Sequence, residues 1–277
     1  SRARGLRARV EDILPADPPE ARSEAEDSLD AILKGAISFP ADGWLARISG
    51  GVPVGELERF LAAAYSQIIS RSAEKSSPYT IETEARPALP EILDAAGALE
   101  VALNAMIAPL QRLRIRLLGR LDLEADLLET QTRHRIEGIS RTLLRRTNQL
   151  SAWLDMLTSL KTEALPEFVD WFEADQIDGQ VRDVGMHRHW VDPSKPFAHA
   201  VLESAHGAVV TSATLTDGVE DIDTAWAAAE ASTGAVHLSR PAIRARVASP
   251  YDYGRQARVY VVTDVNRTRP EDVAAAY

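Results

Sequence analysis

The sequence predicts an α-helical domain built around a long antiparallel helical hairpin, followed by a partial α/β unit. Three observations carry this. Ile92, Ala96, Leu99, Leu103, Met106, Leu110, Leu113 and Leu117 repeat at alternating spacings of four and three, the period of a helix–helix seam. A second apolar series follows after a short connection: Ile136, Ile139, Leu143, Leu150, Trp153, Leu157 and Leu160, with Arg146 interrupting it. From Pro166 the texture changes to short β-branched and aromatic runs divided by turn residues.

Taken in order, helices are expected over 3–14, 23–37, 54–76, 89–118 and 122–165, with Pro, Gly, Asp and Ser clusters between them. Gly119 suits a helix C-cap and Asp122 an N-cap, so the last two helices pair through a tight turn. Thirty to forty residues at 1.5 Å each give arms of roughly 45–65 Å, which should project as a spur or curl around something. Pro109 should kink the first arm and Gly138 weaken the second. Strands are expected at 168–172 and 181–191 about the turn Asp178-Gly179, and again at 208–211 and 257–263, with helices at 195–204 and 223–232. Three regions result: 1–165, 166–248 and 249–277.

Composition narrows the function. The 277 residues are 45% hydrophobic and 26% charged, as in a soluble globular protein of about two domains. No run of about 18 consecutive apolar residues exists, so no membrane span is expected. The absence of cysteine excludes disulfides, thiolate zinc and iron–sulfur ligation within this stretch, and cytoplasm is the default compartment. The net charge of −10 gives no global attraction to nucleic acid. The chain opens at Ser1 and stops about two turns after Pro270 begins a helix, so a piece of a larger parent is expected.

Several chemistries are missing. None of the four lysines follows a glycine, and no Asp-Glu dipeptide occurs, so neither a P-loop nor a DExH box is present. The 208–211 strand runs into Ser212-Ala213-Thr214, whose two hydroxyls fall on one face if strand geometry persists; a Ser/Thr turn is the plainer alternative. Between Gln111 and Arg146 nine arginines face five acids, a local +4 that leaves −14 elsewhere. Arg133, Arg135, Arg141, Arg145 and Arg146 are therefore candidate contacts to single-stranded DNA, against a solvated face with i,i+4 pairs such as Glu137–Arg141. His187 and His189 share a strand face near Asp192, but alternate with Arg188 and Trp190 as on any half-exposed strand, and no metal site is assigned. The five tryptophans are scattered, and Trp153 is most simply core.

The passages His187–Pro193, Lys195-Pro196-Phe197, Ala205–Thr216 and Ser249-Pro250-Tyr251-Asp252-Tyr253 together resemble the DinG-like branch of superfamily 2 DNA helicases, relatives of the iron–sulfur helicases. The resemblance implies that 1–165 is the helical arch domain and 166–248 the C-terminal part of the first RecA-like, P-loop NTPase-type motor domain. Residues 249–277 then lead into the second motor domain. It also implies that Ser212, Ala213 and Thr214 are motif III, coupling nucleotide state to motion between motor domains. The implied activity is ATP-dependent unwinding of single-stranded or forked DNA. ATP and magnesium would be bound by the parent and neither by this segment alone; any cluster ligands would lie outside it. The competing expectation is a non-catalytic helical interaction module that docks a protein partner.

Overall fold

A computed structural model describes residues 2–15, 18–72, 79–216, 221–266 and 268–275. Its contacts divide the chain into Ser1–Pro193 and Ser194–Tyr277.

The first unit holds helices α1 (Arg2–Val10), α2 (Pro19–Gly35), α3 (Trp44–Gly50) and α4 (Gly55–Arg71), strand β1 (Ile81–Glu84), helices α5 (Pro90–Leu123) and α6 (Thr130–Ser159), and strands β2 (Phe168–Ile177) and β3 (Gln180–Trp190). All eight predicted seam residues of α5, from Ile92 to Leu117, are buried. The helix runs through Pro109 unbroken, for 34 residues or about 51 Å. It does not project as a free spur. α2 and α4 pack on it as well as α6, each through its own apolar stripe: Ala21, Ala25, Leu29 and Ile32 from α2; Phe60, Leu61, Ala64 and Ile68 from α4. By length and composition α5 is apolar enough to cross a membrane, although scattered polar residues leave it without an unbroken apolar run; its seam is buried within the helical body instead.

On the second arm five of the seven expected seam positions, Ile136, Leu143, Leu150, Leu157 and Leu160, are buried. Its buried line is Ile136, Ser140, Leu143, Thr147, Leu150 and Leu157, while Trp153 is exposed and Ile139 only half-buried. The apolar pattern misleads because two seam positions carry hydroxyls. The connection is also later than expected, at 124–129. Gly119 and Asp122 stay helical, held by Arg120, which pairs with Glu124 at 2.9 Å and donates to the Leu14 carbonyl at 3.1 Å.

The sheet is an antiparallel meander in the order β1-β2-β3. Asp178 and Gly179 turn β2 into β3 with φ of 52° and 73°, the left-handed pair that a two-residue hairpin needs. Ile81, Phe172, Ala174 and Val184 are buried on one face, where Phe172 meets Phe60 of α4 edge-on at 6.1 Å. The opposite face carries Trp171, stacked on His187 at 5.1 Å and edge-on to His189 at 4.8 Å. The expected boundary after 165 differs from the contact division after 193, because this sheet packs on α4.

Two buried ionic nodes fix the unit. Glu58 takes two bonds from Arg47, at 2.8 and 2.5 Å, and one each from the backbone N–H of Val54 and Ala41. The Arg47 hydrogen bonds lower its carboxyl to about 2. Asp170 sits between Arg86 and Arg188, at 2.8 and 2.6 Å, and both guanidiniums also bond Ser159 at the end of α6. Burial pushes Asp170 up, but hydrogen bonds from Arg188 and Arg86 prevail and hold it below the ordinary aspartate value.

The second unit contains α7 (Ser194–Phe197), a wide turn at Ala198–Leu202, α8 (Ile222–Thr233), α9 (Tyr253–Gln256) and α10 (Pro270–Ala275). Asp221 caps α8 through the Thr224 N–H at 3.2 Å. Arg244 returns to pair with Glu230 at 2.7 Å. The strands expected at 208–211 and 257–263 do not form among the described residues. Val209 is 91% exposed and Val259 88%. Neither segment has a neighbouring strand with which to exchange backbone hydrogen bonds, and without one a β-prone run has nothing to hold it.

Candidate nucleic-acid interface

The basic stretch of the hairpin is sorted by its partners. Arg135 is spent on Asp12, through bonds of 2.7 and 2.9 Å, and on the Arg9 carbonyl at 3.1 Å. That hydrogen bonding lowers Asp12 and raises Arg135 from their ordinary values. Arg116 pairs with Glu24, and Arg120 with Glu124 as described. These three tie α5 and α6 to the N-terminal helices or to their own last turn, so Arg135 does not join the others in a free basic face.

Arg141, Arg145 and Arg146 lie exposed along α6, and Arg133 is half-buried. Among the described residues, none of these four has an ion pair; Arg146 bonds Gln149 at 3.0 Å. The expected Glu137–Arg141 pair is not made, because Glu137 faces His134 at 3.5 Å. The exposed arginines at 141 and 145 are one turn apart, a spacing that puts both on one helix face.

Beside this stripe, α5 and α6 enclose a groove of two adjoining clefts, of about 230 and 250 Å³. Gln111, Arg114, Ile115, Leu144, Thr147 and Asn148 line one. Arg114 and Leu144 continue into the second, which adds Leu118, Glu137, Ser140 and Arg141. Of the groove residues, the sequence alone nominates only Arg141. Arg114 enters there only as part of the basic stretch, and Ser140 and Thr147 escape notice because an apolar seam, once assumed, hides hydroxyls at seam positions. Ser140 and Thr147 stand seven apart, each four residues after a seam apolar, and that spacing is the signal present in the sequence.

Ser212, Ala213 and Thr214 form an exposed turn rather than the end of a ladder. Ser212 Oγ accepts the Thr214 N–H at 3.1 Å and lies 3.2 Å from Thr214 Oγ1, the Ser/Thr turn that local side-chain bonding favours. The two hydroxyls are brought together by this turn and not by strand alternation. No group of three or more metal-ligating side chains converges among the described residues; His187 and His189 instead flank Trp171, whose indole N–H donates to Glu173 at 3.1 Å. No family model matches the chain, and neither a curated protein nor a solved structure matches it.

Proposed function

We propose that this chain is part of an ATP-dependent DNA helicase of the DinG-like kind, working in the cytoplasm, with the helical unit as its arch domain and residues 166–277 as portions of the two RecA-like motor domains. The observation that carries the reading is the long paired hairpin whose arginines at 133, 141, 145 and 146 have no carboxylate partner among the described residues. A guanidinium not spent on a carboxylate is free to bind phosphate, and such contacts give salt-dependent binding. The β-prone runs at 208–211 and 257–263 support it further: both suit inner strands of an α/β motor whose remaining strands come from other parts of a parent protein. In this reading Ser212, Ala213 and Thr214 contact the acidic box and transmit nucleotide state, which is positioning work and not bond-making. ATP, magnesium and any iron–sulfur cluster belong to the parent.

The test is binding of an oligo-dT strand by fluorescence anisotropy from 50 to 200 mM salt. The triple substitution Arg141→Ala, Arg145→Ala, Arg146→Ala should weaken affinity at least tenfold and flatten the salt dependence by roughly 0.7 for each phosphate no longer neutralised. An unchanged affinity and slope would refute the DNA reading. ATP turnover by these 277 residues alone would refute the helicase assignment. A second reading, a helical module docking a protein, draws on Ile115 and Leu144, which are 58% and 40% exposed in the groove. It competes poorly, because the seam that would receive a partner helix is already buried within the chain.

A further inference from the structure

Five buried side-chain nitrogen or oxygen atoms lack a hydrogen-bond partner among the described residues: Arg7 Nε, Glu100 Oε1, Arg114 Nε, Ser140 Oγ and Thr147 Oγ1. The first two belong to side chains whose charge is met elsewhere, Arg7 by Asp30 and Glu100 by Lys161. The other three line one groove, between α5 and α6. A buried polar group left without a partner is costly, and three in one place ask for a common explanation.

Packing alone does not supply it. Ser140 and Thr147 are 3% and 4% exposed, at positions where alanine or valine would fill the seam without a polar atom. A helical hydroxyl ordinarily has an outlet in the carbonyl one turn back. Thr142, beside them but exposed, uses it, bonding the Gly138 carbonyl at 2.9 Å. Ser140 and Thr147 do not. Arg114 has neither an ion pair nor a hydrogen bond among the described residues, and Glu137, the one carboxylate lining the groove, is turned to His134.

All three groups can donate, and a guanidinium can do nothing else. The matching ligand is an acceptor and, beside Arg114 and Arg141, an anion. Its extent follows from helix geometry. Seven residues separate Ser140 from Thr147 by about 10.5 Å along α6, too far for one oxyanion to reach both. Two oxyanions fit, one in each cleft, with Arg114 shared between them because it lines both. We infer that the α5/α6 groove is a binding site for the sugar–phosphate backbone of a single strand. One phosphate meets Thr147, Gln111 and Asn148, the next site along meets Ser140 and Arg141, and Arg114 bridges them. The inference rests on the DNA part of the proposed function and not on its ATPase part. Leu144 lines both clefts and is 40% exposed, so it forms part of the groove floor shared by the two sites.

The test compares two groove variants of the full chain, Arg114→Gln and the near-isosteric pair Ser140→Ala with Thr147→Val, against an outer pair that lines neither cleft, Arg145→Ala with Arg146→Ala. Binding of oligo-dT should weaken about tenfold in each groove variant. The salt slope should fall by about 0.7 in Arg114→Gln, which removes a charge, and stay constant in the hydroxyl pair, which does not. Thermal melting of the unliganded hydroxyl variant should show no loss of stability, separating weaker ligand binding from a damaged fold. If the outer pair abolishes binding while both groove variants bind as the unsubstituted chain does, the DNA reading stands and the groove site falls. If oligo-dT does not bind, but inorganic phosphate raises the melting temperature of the parent chain and not of the groove variants, the groove is a free-phosphate site and the strand is overturned. Neither ligand binding overturns both.

Discussion

β2–β3 and the run 257–263 are equally β-prone by composition, yet one forms a ladder and the other lies open. The difference lies in what surrounds them. Phe168–Ile177 has Gln180–Trp190 directly across a two-residue turn, β1 on its other side, and α4 covering one face through Phe60. Residues 257–263 have the alternation and the branched side chains but no strand beside them, and Val259, Tyr260 and Val261 are all more than three-quarters exposed. Strand propensity is the fitness of a side chain for a pleated, half-buried surface, and it needs the surface to be there.

The contrast is sharpened most by core truncation. Phe172→Ala should destabilise the first unit by about 3–5 kcal/mol in urea unfolding, whereas Val261→Ala should shift the same transition by less than about 0.5 kcal/mol; comparable losses would erase the distinction. A smaller effect comes from pH. Glu58 titrates near 4.5 when unfolded and at about 2 when folded, so its contribution is complete above 4.5 and is lost as pH falls toward 2. The melting temperature of the first unit should therefore drop across that window. Glu58→Gln should lower it by about 5 °C at pH 7 and remove part of the acid dependence, with no change in amide exchange at 257–263. Smallest of the three, Gly179→Ala forces a side chain into a backbone at φ 73° and should cost about 1 kcal/mol. An unaltered hairpin exchange rate in that variant would show that α4 packing, and not the turn, sets the pairing.

Legibility in the sequence followed the same division. The α5 seam was readable residue by residue because nothing but apolar side chains occupies it. The α6 seam was readable only in part: its phase was right at Ile136, Leu143, Leu150, Leu157 and Leu160, but hydropathy chose Ile139 and Trp153 over the buried hydroxyls Ser140 and Thr147. The turn at Asp178-Gly179 announces its hairpin by chemistry that few other structures use. Of the arginine cluster, net charge was visible but its allocation was not: that Arg135 would be claimed by Asp12, 123 positions away, is a tertiary fact. The groove donors were hidden for a related reason, because a hydroxyl in a seam looks like an error in the pattern until its lack of a partner is seen.

The Asp170 node has one more implication. Arg86 lies just before the hairpin begins, Ser159 where it ends, and Asp170 and Arg188 on adjacent strands, so a single carboxylate rivets the root of both arms to the sheet. Removing that carboxylate would leave two guanidiniums without their shared partner at the foot of both helices at once.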